Sequence, residues 1–271
     1  MLPRASGPRR IGIVLATACM AAAPVLAMSV LAAAASTVRY VALGDSYSSG
    51  LGAGDLIAFS GSCDRSTNAY PALWAGANQP ASYLSVACAG ATTSDVLRSQ
   101  VQALSSSTTL VSITIGGNDV GFSSVMETCV LNSTSSCVQA IGVAEAEVSS
   151  QLPAELDRVL AAITARAPGA RVVVLGYPHL YAFSSGCIGL SSTDRTDLNR
   201  AADLLDGQIQ QAAARHRDVF ADVRSAFAGR EICDPGRWLH AVDFLDLSES
   251  YHPTAAGQSG GYLPVFSASA G

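Results

Sequence analysis

Four residues of chemically useful types stand in short polar segments that are far apart along the chain. A serine hydroxyl attacks a carbonyl carbon only when a neighbouring base removes its proton. A histidine can take that proton near neutral pH and later return it to a leaving alkoxide. Both types are present here, with a glycine and an asparagine: Ser46 in GDSYSSG, Gly90 in CAGAT, Asn118 in GGND and His252 in ESYHP.

Three of these segments directly follow predicted β-strands. Apolar, often β-branched runs bounded by Gly, Pro or Asp predict five short strands: 37–43, 83–87, 109–115, 171–175 and 218–223. Their continuous apolar character is typical of strands covered on both faces, as in a parallel sheet. Ligands bind at the carboxyl ends of such strands, so we expect Ser46, Gly90 and Asn118 to lie at one edge.

Helical patterns separate the strands and indicate an α/β architecture. We expect helices at 95–104, 138–166 and 194–215. Ser94 would cap the first helix, and the second would break near Pro153. The alternation predicts a three-layer α/β/α sandwich around a flavodoxin-like, doubly wound and mainly parallel sheet of five strands. The stretches without periodicity are predicted to be irregular loops: 120–137, 177–193 and 224–251.

The four polar segments resemble the blocks of the SGNH (GDSL-type) hydrolase family and occur in the same order. They span residues 44–253, nearly all of the chain after its N-terminal apolar run. The triplet GDS alone would be a weak signal, but four blocks in order are specific. The resemblance implies hydrolysis of carboxylic esters through an acyl-enzyme intermediate.

The resemblance also implies roles for individual residues. Ser46 would be the nucleophile, and His252 would be its general base. The negatively charged oxygen formed on attack would be bound by an oxyanion hole. Its donors would be the backbone N–H groups of Ser46 and Gly90 and the side-chain amide of Asn118.

Two alternatives are open for the group that orients His252. The family usually places an aspartate three residues before the histidine, but this chain has Glu249 there. The longer side chain of Glu249 could still reach the second ring nitrogen. Alternatively, a backbone carbonyl, such as that of Ser250, could hold the ring.

A competing serine motif lies near the C-terminus. Residues 257–261 (GQSGG) match G-x-S-x-G, the nucleophile elbow of a different hydrolase fold, with Ser259 at the centre. That fold needs a histidine later in the chain than the serine, and no histidine follows His252. We therefore reject Ser259 as a nucleophile.

Six cysteines follow the apolar N-terminal run, and an even number in an exported chain indicates disulfides. Spacing alone does not choose among the possible pairings. Our hypothesis is sequential pairing, in which the middle pair closes a short, self-contained loop: Cys63–Cys88, Cys129–Cys137 and Cys187–Cys233. The chain has no C-x-x-C pair and no histidine at ligand spacing, so we expect no metal site. The three expected disulfides also resemble those of the family's secreted bacterial lipases, esterases and phospholipases A1.

The N-terminus resembles an export signal. Residues 1–10 carry three arginines and no acid, and the apolar run from Ile11 ends in small residues at 33–35. We predict that residues 1–35 are a cleaved signal peptide and that 36–271 form one hydrolase domain. A retained membrane anchor is the alternative, because the run is long enough to span a bilayer. Cleavage would make the protein secreted and extracellular.

The overall charge helps to define the partners. Removing the three leader arginines lowers the formal net charge from −5 to −8, and no cluster of basic residues remains, which argues against nucleic acid. We expect a monomer without a cofactor that acts on lipid or other small esters and touches lipid surfaces transiently. A carbohydrate or cell-wall O-acetylesterase is the alternative, and a non-catalytic binding protein on the same fold is a third hypothesis.

Large apolar residues in two of the predicted loops are candidates for an acyl-binding groove. Packing in the core beneath those loops would explain the same residues equally well. The candidates are Tyr181, Phe183, Trp238, Leu239, Phe244 and Leu245.

Overall fold

The fold is described from a computed structural model in which residues 1–4, 6–8, 10–12, 36–183, 187, 189–244 and 247–271 are described. Backbone contacts divide the chain into two units, Met1–Ala34 and Ala35–Gly271. Most of the predicted signal peptide at 1–35 lies outside the described residues, and its cleavage stays a prediction. Within the described ranges, no helix has the length and apolar character needed to cross a membrane.

The second unit contains a five-stranded, fully parallel sheet with the strand order β2-β1-β3-β4-β5. This is the flavodoxin-like order, and it confirms the predicted fold class. Val41 of the central strand β1 pairs with Leu84 on one side and with Val111 on the other. The strands are β1 Arg39–Gly44, β2 Ser82–Ser85, β3 Leu110–Thr114, β4 Arg171–Leu175 and β5 Val219–Ala221.

Burial explains why these short runs form strands. Every residue of β3 is buried, and so are all residues of β1 and β4 except the arginine that begins each strand. Both faces of the central strands are therefore covered, which is why their sequences are continuously apolar rather than alternating. The edge strands β2 and β5 are only partly buried.

Helices cover both faces of the sheet and complete the three layers. Helices α2 and α9 pack together on one face, and α3, α6 and α7 pack in a row on the other. Helices α4 and α5 pack outside that row, with α5 against both α6 and α7. The helices are α1 Ser46–Ser49, α2 Tyr70–Asn78, α3 Thr93–Arg98, α4 Phe122–Leu131, α5 Thr134–Ser150, α6 Leu152–Arg166, α7 Ser192–His216, α8 Arg224–Phe227 and α9 Leu263–Ala270.

The predicted cap at Ser94 is wrong. Helix α3 begins earlier because Thr92 and Asp95 form a capping box. The Thr92 hydroxyl accepts a hydrogen bond from the backbone N–H of Asp95, while the Asp95 carboxylate accepts one from the backbone N–H of Thr92. The predicted helix at 138–166 is indeed interrupted near Pro153, since α5 ends at Ser150 and α6 begins at Leu152.

Part of the predicted loop at 120–137 is helical. Helix α4 starts after Gly121, which has a positive φ of 69°, and carries apolar residues at helical spacing. That spacing is present in the sequence, but the segment is too short for its periodicity to predict a helix. The apolar residues are Phe122, Val125, Met126 and Val130.

Three disulfides tie the loops to the layers. The structure pairs Cys63 with Cys88, Cys129 with Cys137, and Cys187 with Cys233, which are the pairs of the sequential hypothesis. The second of these links the end of α4 to the start of α5.

Candidate active site

Ser46 and Asn118 lie on either side of the topological switch point of the sheet. The chain runs from β1 to β2 on one side and continues through β3 on the other, so the loops after β1 and β3 diverge at this edge. A crevice opens between such loops, and it is the usual ligand site of doubly wound folds. Ser46 is the first residue of α1, directly after β1, and Asn118 follows β3.

The structure brings Ser46 and His252 together although 206 residues separate them. The Ser46 hydroxyl and the Nε2 atom of His252 are 2.8 Å apart, within hydrogen-bond distance. Ser46 is buried and His252 is partly buried, so neither side chain is displayed freely to solvent. A neutral imidazole in this position can take the hydroxyl proton directly.

Asp45 fixes the turn that presents Ser46. Its carboxylate caps α1 by accepting a hydrogen bond from the backbone N–H of Tyr47 at 3.0 Å, and it accepts another from the Thr114 hydroxyl at 2.6 Å. The Tyr177 hydroxyl donates to its second oxygen. Burial raises the pKa of Asp45 to about 6, against the opposing effect of these hydrogen bonds. We interpret Asp45 as a support for the turn rather than as a group that touches substrate.

A pair of backbone hydrogen bonds holds His252 in place. The N–H of His240 donates to the carbonyl of His252 at 3.0 Å, and the N–H of Tyr251 donates to the carbonyl of His240 at 2.9 Å. The Tyr47 hydroxyl donates to the Tyr251 carbonyl at 2.9 Å and so links the serine turn to the histidine loop. Gly52, at φ +84°, allows close approach, since a Cβ there would lie 3.1 Å from the Cβ of His252.

Burial and nearby backbone groups set the pKa of the His252 imidazole. Burial lowers the pKa of His252 to about 4, while the backbone of Ser250, followed by that of Glu249, acts in the opposite direction. Nδ1 is buried and makes no hydrogen bond of normal geometry within the described part of the chain. No described hydrogen bond or ion pair joins the Glu249 side chain to this ring.

The loop after β2 offers a free backbone donor close to Ser46. Gly90 adopts φ +76°, in the left-handed region that suits glycine, and is exposed. Its neighbour Ala89 donates to the carbonyl of Cys63 at 3.1 Å, and the Cys63–Cys88 disulfide fixes the same loop. Among the described residues, no acceptor is recorded for the N–H of Gly90 or of Ser46, so both remain available to a ligand.

The Asn118 amide is oriented from one side. One of its N–H groups donates to the Ala91 carbonyl at 3.0 Å, which leaves the second N–H for another acceptor. Asp119 ties the two loops together, because it accepts hydrogen bonds from the backbone N–H of Thr93 at 3.0 Å and from the Thr93 hydroxyl at 2.6 Å. The predicted oxyanion donors therefore line one cavity with His252.

A largely apolar cavity of about 580 Å³ opens at Ser46. Its lining includes residues of helices α4, α5 and α7, which the sequence did not indicate as cavity walls. Of the candidate groove residues, Phe244 lines it, whereas Leu239 and Tyr181 are buried in the core and Trp238 packs against Phe227. Phe183 is exposed and does not line the cavity, and Leu245 lies outside the described residues.

A serine–histidine pair beside N–H donors, at the switch point of a doubly wound sheet, is an arrangement suited to hydrolysis by acyl transfer. The model of the GDSL-like Lipase/Acylhydrolase family matches residues 42–259. The chain belongs to this family and is a carboxylic ester hydrolase.

Three similar proteins come from Streptomyces. Lipase 1 of Streptomyces coelicolor is 57% identical over 231 residues, which are 85% of this chain and 86% of that protein. The crystal structure of phospholipase A1 from Streptomyces albidoflavus NA297 is 55% identical, with a TM-score of 0.85 over 86% of this chain and 99% of that one. The crystal structure of an extracellular lipase from Streptomyces rimosus is 50% identical, with a TM-score of 0.84 over 86% and 99%.

Proposed function

We propose that the protein is a secreted lipase that hydrolyses acyl esters of lipids, with Ser46 as nucleophile and His252 as general base. The observation that carries the proposal is the 2.8 Å contact between these side chains at the opening of the apolar cavity of about 580 Å³. That volume is within the range of small-molecule sites, and its apolar walls suit an alkyl chain rather than a sugar. The names of the S. coelicolor lipase and the S. albidoflavus phospholipase A1 support the same substrate class.

In the proposed acylation step, His252 Nε2 accepts the Ser46 proton as the Oγ atom bonds to the ester carbonyl carbon. The carbonyl oxygen gains the electron pair and accepts hydrogen bonds from the N–H groups of Ser46, Gly90 and Asn118. When the oxyanion collapses, the bond to the alcohol oxygen breaks and His252 protonates that oxygen. An acyl group on Ser46 and a free alcohol result.

The proposed deacylation step uses the same groups in reverse. A water molecule loses a proton to His252 and attacks the acyl carbon. The second oxyanion collapses, Ser46 leaves with the proton from His252, and a fatty acid is released. Rates on p-nitrophenyl esters of increasing acyl length test the substrate class. A strong preference for the acetate would contradict the lipid assignment.

Asn118→Ala removes the N–H that in this proposal donates to the developing oxyanion, together with the N–H that donates to the Ala91 carbonyl. We expect kcat to fall by about 10²–10³-fold with little change in KM. Steady-state kinetics on a p-nitrophenyl ester measure the effect. Asn132→Ala is the matched control, since Asn132 is exposed at the end of α4 and outside the cavity, and it should leave kcat unchanged. An equal loss in both variants, or none in Asn118→Ala, would remove Asn118 from the oxyanion hole.

We further propose that the Ser250 carbonyl, rather than the Glu249 carboxylate, orients His252. The effect of the Ser250 backbone on the pKa of His252 supports this choice. It predicts that Glu249→Gln keeps kcat within about 3-fold of the parent, because the substitution removes only a charge that the ring does not use. A loss beyond about 10²-fold, with an unchanged melting temperature, would instead assign the role to the carboxylate.

Secretion and lipid contact belong to the same proposal. Three disulfides persist in oxidising compartments, which supports export and cleavage of the leader at 1–35. Leu131, Phe244 and Leu247 line the cavity and are exposed, so they could touch a lipid surface transiently. N-terminal sequencing of the protein from culture medium tests the cleavage, and gel filtration tests the expected monomer.

A further inference from the structure

The inner wall of the cavity has a large–small–large pattern on two neighbouring helices. On α5 the cavity-lining residues at helical spacing are Ile141, Ala144 and Val148. On α7 the corresponding stripe is Leu198, Ala201 and Leu205. Both stripes have alanine at the centre, and the two helices pack directly against each other.

Helix α4 forms the third wall of this space. It presents Val125, Met126 and Val130 to the cavity, and its end is fixed to α5 through Cys129–Cys137. Protein interiors are close-packed, with few voids larger than a water molecule. The largely apolar cavity of about 580 Å³ that these three helices help to line therefore points to an apolar ligand.

The space is continuous with the reacting serine. Ser46, Gly90, Asn118 and His252 line the same cavity as Ala144. Two acidic residues lie in these helical walls: Glu145 is paired with Arg200 at 3.1 Å, and Glu127 of α4 is exposed to solvent. An acyl group attached at Ser46 can thus extend its tail between α4, α5 and α7 without burying an unpaired charge.

We propose that Ala144 and Ala201 determine the acyl-chain length that the enzyme accepts. This rests on the proposed function, because it assigns the cavity to the acyl part of the ester. Short acyl groups stay near Ser46 and do not reach the two alanines. Long chains pass between them, so their rate depends on the free space at these positions.

Ala144→Phe tests the proposal by filling the space. For p-nitrophenyl palmitate, kcat/KM should fall by roughly 10-fold or more, whereas the value for the butyrate should stay within about 2-fold of the parent. Ala201→Phe, from the opposite helix, should give the same profile. Ala146→Phe is the matched control, because Ala146 is exposed on α5 and does not line the cavity. It should leave both rates unchanged.

Thermal unfolding of each variant shows whether the larger side chain is tolerated, since overpacking of an interior is destabilising. If a phenylalanine variant does not fold, Ala144→Leu and Ala201→Leu supply the same test with smaller side chains. Folded variants at both positions that hydrolyse palmitate and butyrate in the parental ratio would overturn the proposal.

Labelling with alkyl fluorophosphonates separates this proposal from the one on which it rests. These reagents phosphonylate an activated serine and carry either a short or a long alkyl chain. We expect both reagents to label the parent. In Ala144→Phe, the labelling rate should fall for the long-chain reagent and stay unchanged for the short-chain reagent. Absence of labelling of the parent by either reagent would contradict the serine mechanism itself. Equal labelling rates of parent and Ala144→Phe by the long-chain reagent would contradict the role of Ala144 alone.

Discussion

Ser46→Ala is expected to lower kcat for p-nitrophenyl esters by about 10⁵-fold while the protein stays folded. The substitution removes the hydroxyl that we propose as the nucleophile, which lies 2.8 Å from His252 Nε2. The N–H donors and the cavity remain, so substrate should still bind with a similar KM. Residual hydrolysis would come from water in a site that still stabilises the oxyanion.

The matched control for this experiment is Ser259→Ala. Ser259 stands at the centre of the competing G-x-S-x-G motif but lies exposed in a short helical turn, Gly257–Tyr262, and does not line the cavity. It should keep full activity and full labelling by a fluorophosphonate, whereas Ser46→Ala should lose both. Labelling that survives in Ser46→Ala and disappears in Ser259→Ala would invert the assignment.

The sheet could be predicted from sequence because its strands are buried on both faces. Runs such as 109–115 and 171–175 are therefore dominated by apolar residues, and the structure has strands at 110–114 and 171–175. The switch point then follows from strand order, and this order places the segments with Ser46 and Asn118 together. The residues of the candidate site and their chemistry could therefore be predicted from the sequence.

The surroundings of His252 could not be predicted from the sequence in the same way. The position of a backbone carbonyl is not encoded by a particular residue type. Glu249, at the position of the family's usual aspartate, was therefore as good a candidate as Ser250. Tyr251, directly before His252, has a positive φ of +69°. A positive φ at a tyrosine is set by the tertiary structure and not by local propensity.

The cavity was missed for a related reason. We looked for large apolar residues in loops, but the space depends on small residues on helices. Ala144 and Ala201 are ordinary helix formers, and nothing in their local sequence distinguishes a wall of a hollow from a close helix contact. The difference follows from the packing of α4 against α5 and of α5 against α7.

His252→Ala should lower kcat by about 10⁴-fold or more, because Ser46 then has no base for its proton. His216→Ala is the matched control. His216 ends α7 beside Asp157, at 3.1 Å, and does not line the cavity, so its loss should leave kcat unchanged. Retained activity in His252→Ala, at neutral pH and with intact folding, would exclude His252 as the general base.

The pH profile of the parent enzyme shows which group orients this base. Only neutral imidazole accepts the serine proton, so kcat/KM should fall as pH drops through the pKa of His252 in the free enzyme. Burial lowers that pKa from 6.5 to about 4, and the backbone of Ser250 and of Glu249 only partly opposes the shift. We therefore expect kcat/KM to stay constant from neutral pH down to near pH 4 and then to fall by about tenfold per pH unit.

A carboxylate paired with the ring would favour the imidazolium and raise the pKa of His252. A fall in kcat/KM that begins at or above pH 6.5 would thus contradict orientation of His252 by a carbonyl. A fall near pH 4 in both the parent and Glu249→Gln would agree with it.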